Sequence, residues 1–105
     1  MIRMSVLYPQ KEGARFDWAY FTGTHIPLVR RRLDAALKAV SIEQGIAGGA
    51  PEAPPPFVAI AILAFDSMDT FQAAFAAHGP ELMADIPRYT SIEPVILVSE
   101  VKMGS

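Results

Sequence analysis

The sequence predicts an α+β fold with the order β-α-β-β-α-β, the ferredoxin-like split arrangement. Three observations indicate it. Apolar segments of strand length lie near both ends and in the middle of the chain, and two helical patterns separate them. The chain of 105 residues is long enough for one hydrophobic core and too short for two. We therefore expect a single domain that spans residues 1–105.

The first third of the chain predicts a strand followed by an interrupted helix. Apolar residues alternate over Ile2–Tyr8, as in a strand with one buried face. A helical spacing of apolar residues begins after Asp17, which we expect to cap the helix N-terminus. Pro27 has no N–H and crowds the preceding turn. We therefore expect the helix to kink around Thr24 and His25 and to resume with Thr24 as its second cap.

The middle of the chain predicts two strands joined by a proline-rich loop. Val40–Ala47 has the composition of a short strand, and residues 48–56 contain four prolines, which favour extended and unpaired backbone. Phe57–Phe65 is apolar on both sides, which is typical of a strand covered on both faces.

The last third predicts a second helix and a final strand. We expect Ser67 to cap this helix, Phe71 and Phe75 to lie on its inner face, and Gly79-Pro80 to end it. Ile92–Val101 has the apolar pattern of the last strand.

The predicted sheet has one face that the helices cannot cover. That face presents either Ile60 and Ile62 or Ala61 and Leu63. Soluble monomers rarely expose an apolar patch of this size. We therefore expect a homodimer in which two sheets pack face to face and form a dimeric α+β barrel with an enclosed lumen.

The composition excludes several classes of protein. Hydrophobic residues make up 51% of the chain and charged residues 19%, which is too apolar for intrinsic disorder. The formal net charge of -2 argues against a nucleic-acid partner, which usually requires a basic excess. The absence of cysteine excludes thiolate catalysis and cysteine metal sites. Without a signal peptide or a long apolar run, we expect no membrane partner and a cytoplasmic location.

Two groups of residues resemble signatures of the EthD-like family. Phe16-Asp17-Trp18-Ala19-Tyr20-Phe21, followed by His25-Ile26-Pro27-Leu28, is similar to the first-helix signature. Phe65-Asp66-Ser67, Asp85-Ile86-Pro87-Arg88-Tyr89-Thr90 and Glu93-Pro94 resemble the second half. The resemblance runs from about residue 2 to residue 102. Phe21 stands where a second tyrosine is common, and Arg88 stands where asparagine is common.

The resemblance implies a dimeric α+β barrel and an association with gene clusters for ethyl tert-butyl ether degradation. In that setting the founding protein accompanies an ether-cleaving cytochrome P450 system, so the resemblance also implies an oxygenase system as a partner. It supplies no agreed reaction. Cofactor-free monooxygenases, lactone isomerases and polyketide cyclases share the fold, so function has to be argued from the site.

His25 and Tyr89 are the candidate catalytic residues. His25 falls at the helix interruption and titrates near neutrality, so it could exchange a proton with a carbonyl-bearing or phenolic substrate. Its structural alternative is to hold the kink through a backbone hydrogen bond. Tyr89 could bring a hydroxyl to the same pocket, as could Tyr8, or each could pack in the core.

Further residues are expected to bind the substrate. The set comprises aromatic residues of the first helix and apolar residues of the third strand: Trp18, Tyr20, Phe21, Ile60 and Ile62. Tyr20 precedes His25 by five residues, which is ~140° around a regular helix. Both side chains therefore reach one pocket only if the helix bends between them.

No metal and no organic cofactor is expected. His25 and His78 lie on different helices without clustered carboxylates, and the sequence has no nucleotide-binding signature. We predict that His78 caps the end of the second helix. Asp85 could be a ligand or a general base, but Asp85-Ile86-Pro87 is equally typical of a turn. Two functions remain: a cofactor-free enzyme acting on an apolar, oxygen-bearing compound, and a non-catalytic carrier of such a ligand.

Overall fold

A four-stranded antiparallel sheet carries all the helices on one face in the computed structural model, which describes residues 1–104. The strands are β1 (Ile2–Pro9), β2 (Ala39–Gln44), β3 (Phe57–Phe65) and β4 (Val95–Glu100), in the spatial order β2-β3-β1-β4. The helical elements are α1 (Trp18–Tyr20), a π-helical turn (Phe21–His25), α2 (Ile26–Leu33) and α3 (Met68–Asp85), with 3₁₀ turns at Asp34–Ala36 and Ile86–Arg88. The predicted α+β fold is confirmed, with β2 and β4 shorter than predicted.

The core lies between the sheet and the helices. β1 and β3 pair in a register that places their buried residues on the same face. The register also decides which residues of β3 face the helices. Ala61 and Leu63 do so and are buried, whereas Ile60 and Ile62 lie on the face that carries no helix.

β4 is an edge strand whose apolar residues remain accessible. Val95, Ile96, Leu97 and Val98 are 54%, 40%, 55% and 37% exposed. Consecutive residues of a strand point to opposite faces, so β4 is open on both sides. Exposed apolar edge strands are surfaces on which another chain can pair.

Two predicted helix caps are confirmed. The Asp17 carboxylate accepts a hydrogen bond from the Tyr20 amide at 3.0 Å, and the Ser67 hydroxyl accepts one from the Thr70 amide at 3.1 Å. Each bond satisfies an amide that the first helical turn leaves without an intrahelical partner. No helix among residues 1–104 combines the length and apolar character needed to cross a bilayer.

The predicted interruption of the helix around His25 takes the form of a π-helical turn, but the predicted second cap at Thr24 is wrong. The chain stays helical from α1 into α2 and widens into the π-helical turn, where the Ile26 amide donates to the Phe21 carbonyl. Pro27 lies at the start of α2, where a missing N–H is tolerated. Neither His25 nor Thr24 caps the second segment, because no new helix begins there.

The predicted helix end at Gly79-Pro80 is also wrong. α3 continues through both residues to Asp85, which places Pro80 inside the helix and His78 away from its C-terminal end. The continuation buries Leu82 in the core and brings Asp85 to His25. These contacts compensate for the loss of the backbone hydrogen bond that proline cannot donate.

Candidate functional site

His25 and Asp85 form a largely buried pair that joins the π-helical turn to the end of α3. His25 Nδ1 lies 2.8 Å from Asp85 Oδ2, and the two side chains are 7% and 11% exposed. His25 ends the π-helical turn, and Asp85 is the last residue of α3. From the sequence alone, Asp85 could be either a turn residue or a functional residue. The contact makes it the partner of His25.

The π-helical turn brings Tyr20 to the same carboxylate. The Tyr20 hydroxyl donates to Asp85 Oδ1 at 2.9 Å. On a regular α-helix Tyr20 and His25 would diverge, but the hydrogen bonds of a π-turn span five residues, which aligns residues at that spacing. Arg88 Nε lies 3.5 Å from Asp85 Oδ1 on a side chain that is 72% exposed, at the outer edge of the cluster.

The pair consists of a neutral imidazole and a carboxylate at pH 7. Burial lowers the pKa of His25 below its usual value, although the hydrogen bond and charge of Asp85 act in the opposite direction. Burial acts to raise the pKa of Asp85, but hydrogen bonds from His25 and Tyr20 outweigh it and hold that pKa below its usual range. His25 Nδ1 therefore carries the ring proton and donates to Asp85, which leaves the lone pair on Nε2.

The second ring nitrogen of His25 is open to a ligand. No group in residues 1–104 forms a hydrogen bond with Nε2, and no buried side-chain polar atom of these residues lacks a partner. Nε2 is therefore accessible rather than sealed in the core. His25 lines a cavity of about 40 Å³ between the sheet and the helices, whose walls are otherwise apolar except for Tyr8.

Tyr89 lies beside His25 but directs its hydroxyl to Tyr8. The ring centroids of His25 and Tyr89 are 4.7 Å apart, and the two tyrosine hydroxyls are 2.5 Å apart. Tyr89 is fully buried and does not line the cavity, whereas Tyr8 does. Burial raises the pKa of Tyr8 to about 12 and also raises that of Tyr89, so both hydroxyls are protonated at pH 7.

Hydrogen bonds fix Tyr89 against the start of α1. The Asp17 amide donates to the Tyr89 carbonyl at 2.7 Å, and the Thr90 hydroxyl donates to the Arg15 carbonyl at 2.7 Å. The Arg15 guanidinium donates to the Pro87 carbonyl at 2.9 Å. The segment after α3 is therefore tied to the chain that enters α1, and this tie sets Tyr89 next to His25.

The structure brings together only some of the predicted site residues. Phe21 stacks on the His25 ring with centroids 5.9 Å apart and lines the cavity, while Trp18 packs behind Phe21 at 5.8 Å. Ile60 and Ile62 are separated from His25 by the sheet, because strand alternation turns them to the helix-free face. Among the described residues, no three His, Cys, Asp or Glu side chains are placed to hold a metal ion.

Comparisons with known proteins cover nearly the whole chain. The family model described as EthD domain matches residues 11–93. The chain is similar to the crystal structure of an EthD-like protein from Ralstonia eutropha JMP134, with 45% identity over 99% of this chain and 94% of that chain and a TM-score of 0.91. It is also similar in fold to an EthD family protein from Bacillus halodurans C-125, with 20% identity over 96% of this chain and 98% of that chain and a TM-score of 0.75. No curated protein matches the chain.

Proposed function

We propose that this chain, which belongs to the EthD family, binds a small, mostly apolar, oxygen-bearing compound between its sheet and its helices and removes a proton from it. His25 Nε2 is the base in this proposal, and Asp85 orients the imidazole. The observation that carries it is the 2.8 Å contact between His25 Nδ1 and Asp85 Oδ2, made beside a cavity with mostly apolar walls.

The pair has the properties of a general base. The His25 imidazole is neutral at pH 7, so Nε2 can accept a proton without first losing one. Once protonated, the ring keeps its Nδ1–H on the Asp85 carboxylate, whose negative charge stabilises the imidazolium. The surrounding walls are mostly apolar, and such surroundings strengthen this interaction.

The cavity restricts the size of the group that can reach His25. Its volume of about 40 Å³ accommodates a few atoms, such as a carbonyl group and its neighbours. Met83 is the exposed member of the lining, at 41%, so it lies at the outer edge of the cavity. A larger substrate would place only its reacting end beside His25 and would displace Met83.

We also propose that the protein acts in small-molecule catabolism. A base of this kind acts on a carbonyl or hydroxyl compound, and introducing such an oxygen into an apolar compound is the reaction of an oxygenase. An oxygenase system that forms such a product is therefore the upstream partner that we propose. Ether breakdown is one source of such products, as the family resemblance suggests.

Deuterium exchange at simple ketones tests the proposed base whatever the natural substrate is. In heavy water at neutral pH, the protein should accelerate the exchange of protons for deuterium at the carbon next to the carbonyl of acetone, butanone or cyclohexanone. Proton NMR measures the loss of the corresponding signals. The His78→Gln variant should exchange at the wild-type rate, because His78 lies on α3 away from the cavity. Binding of all three ketones without exchange would contradict the base and support a non-catalytic carrier.

We further propose a homodimer formed through the helix-free face of the sheet. Leu7, Ile60 and Val95 lie side by side across β1, β3 and β4 on this face, and Leu97 lies two residues further along β4. Val95 and Leu97 are more than half exposed in the single chain. A second copy packed on this face would cover them, which is the most economical way to remove this apolar surface from water.

Replacing Leu97 with aspartate should convert the dimer to a monomer. A carboxylate in the middle of an apolar interface loses its water without gaining a partner, which costs several kcal/mol. Sedimentation at micromolar concentration should give a dimer for the wild type and a monomer for Leu97→Asp. The control is Ile46→Asp, because Ile46 is 88% exposed in a loop outside this face. A wild-type chain that sediments as a stable monomer contradicts the homodimer.

A further inference from the structure

Among residues 1–104, Tyr8 is the only polar side chain besides His25 in the cavity wall. Its hydroxyl and that of Tyr89 form a hydrogen bond with each other, and neither has another partner within this part of the chain. Two protonated hydroxyls bring two hydrogens to this contact, but their mutual bond uses only one. One hydroxyl hydrogen is therefore left to donate to a ligand.

The surroundings of the two rings decide which hydroxyl keeps the spare hydrogen. Tyr89 is 0% exposed and lies outside the cavity wall, with the rings of Phe21 and His25 at 5.0 Å and 4.7 Å. The only acceptor that its hydroxyl reaches among the described residues is Tyr8. We therefore assign the donor role in this pair to Tyr89, which leaves the hydrogen of Tyr8 for a group in the cavity.

We propose that the Tyr8 hydroxyl donates a hydrogen bond to the oxygen of the ligand and that the ligand is an enolisable carbonyl compound. This inference rests on the proposed role of His25 as a base. The cavity then has one proton acceptor, His25 Nε2, and one hydrogen-bond donor, Tyr8, among apolar walls. An enolisable carbonyl compound matches both groups, because it carries an acidic C–H next to an oxygen that gains negative charge.

The proton-transfer step balances with these groups alone. The C–H bond breaks, and its proton moves to His25 Nε2. The electron pair of that bond forms the C=C bond of the enolate, while the carbonyl π pair moves onto oxygen. Tyr8 donates to this oxygen as its charge grows, and the hydrogen bond that Tyr8 accepts from Tyr89 makes it a stronger donor.

Carbon-13 NMR of acetone labelled at the carbonyl carbon tests the donor separately from the base. A hydrogen bond to the carbonyl oxygen moves the carbonyl signal downfield, so the bound signal should move downfield with the wild-type protein. The Tyr8→Phe variant should lose this shift and bind acetone about two- to tenfold more weakly, and its exchange of acetone protons for deuterium should be about 10²-fold slower. Tyr89→Phe should keep part of the shift, because Tyr8 still donates without the added polarisation.

Further variants and measurements test this inference separately from the proposed function. His25→Gln should keep the carbonyl shift while losing exchange, so a shift without exchange in the wild type overturns the base and not the donor. In the wild type, the chemical shift of carbon-13-labelled Tyr8 Cζ should change when acetone binds. This measurement tests the donor even if Tyr8→Phe does not fold. No carbonyl shift with acetone, butanone or cyclohexanone, or an equal shift in Tyr8→Phe, overturns the donor.

Discussion

Replacing His25 with glutamine is expected to return deuterium exchange at the probe ketones to the rate in buffer. Glutamine has no basic nitrogen, and a positioned general base contributes about 10²–10⁴-fold to the rate of proton transfer. Its amide can still donate to the Asp85 carboxylate, so the buried acceptor keeps a partner and the fold should persist. Proton NMR of the ketones measures the exchange, and circular dichroism checks the fold.

The pH dependence of exchange should identify the same group. Burial lowers the pKa of His25 below 6.5, and the base is the neutral ring. Exchange should therefore be constant at neutral pH and fall as the pH drops through a midpoint below 6.5. In Asp85→Asn the negative charge is lost and the hydrogen bond from Nδ1 goes to a neutral acceptor, so both effects that raise this pKa weaken and the midpoint should move to lower pH. The plateau should also fall, because asparagine does not stabilise the imidazolium.

One result would separate a catalytic from a structural His25. If folded His25→Gln exchanges ketones at the wild-type rate, His25 is a structural link between the π-helical turn and α3. The Tyr20→Phe variant provides the matched comparison, because it removes a hydrogen bond to Asp85 Oδ1 and leaves the His25 contact in place. It should change the midpoint and the rate less than Asp85→Asn does.

The elements that follow local rules could be predicted from the sequence. Asp17 and Ser67 cap helices because their side chains satisfy amides three residues away, and that interaction is encoded in a short segment. Phe57–Phe65 forms the predicted strand because its apolar run has the length of a strand and follows directly on the prolines of the preceding loop. The choice between Ile60 and Ala61 as the core-facing residue depends on the pairing of β3 with β1, which no local pattern contains.

The site could be predicted only in part because its contacts are long-range. The position of His25 near Pro27 marks it in the sequence, but its partner Asp85 lies 60 residues away in the chain. Local rules predict a helix end at Gly79-Pro80, which would place Asp85 after a break. Core burial of Leu82 keeps α3 helical beyond that point and places the carboxylate at His25.

The π-helical turn is the second feature that local rules miss. Those rules treat Pro27 as the point where an α-helix fails. In the structure the helix continues through a π-turn, in which the Ile26 amide donates to the Phe21 carbonyl. The same turn aligns Tyr20 with His25. π-Turns of this kind occur frequently at functional sites, and here Asp85 binds both aligned side chains.

Replacing Phe21 with alanine should cause a large loss of stability. Phe21 is 0% exposed, and its ring contacts the aromatic cluster around the site, with Tyr89 and Phe16 at centroid distances of 5.0 Å and 5.2 Å. Removing a buried phenylalanine forfeits its burial and leaves a cavity that neighbouring rings fill only in part. We expect the free energy of unfolding to fall by about 3–5 kcal/mol. Urea denaturation followed by circular dichroism measures this loss.

Phe71→Ala is the matched control for Phe21→Ala. Phe71 is only partly buried and packs against Phe65 and Phe75 under α3, away from His25, so its removal should cost less. The two variants should also differ at the site. Loss of Phe21 removes the ring stacked on His25 and should raise the His25 pKa toward 6.5 as water enters, whereas Phe71→Ala should leave it unchanged. Equal losses of stability in the two variants, with the same His25 titration by NMR, would contradict the role of Phe21 as the shared wall of the core and the site.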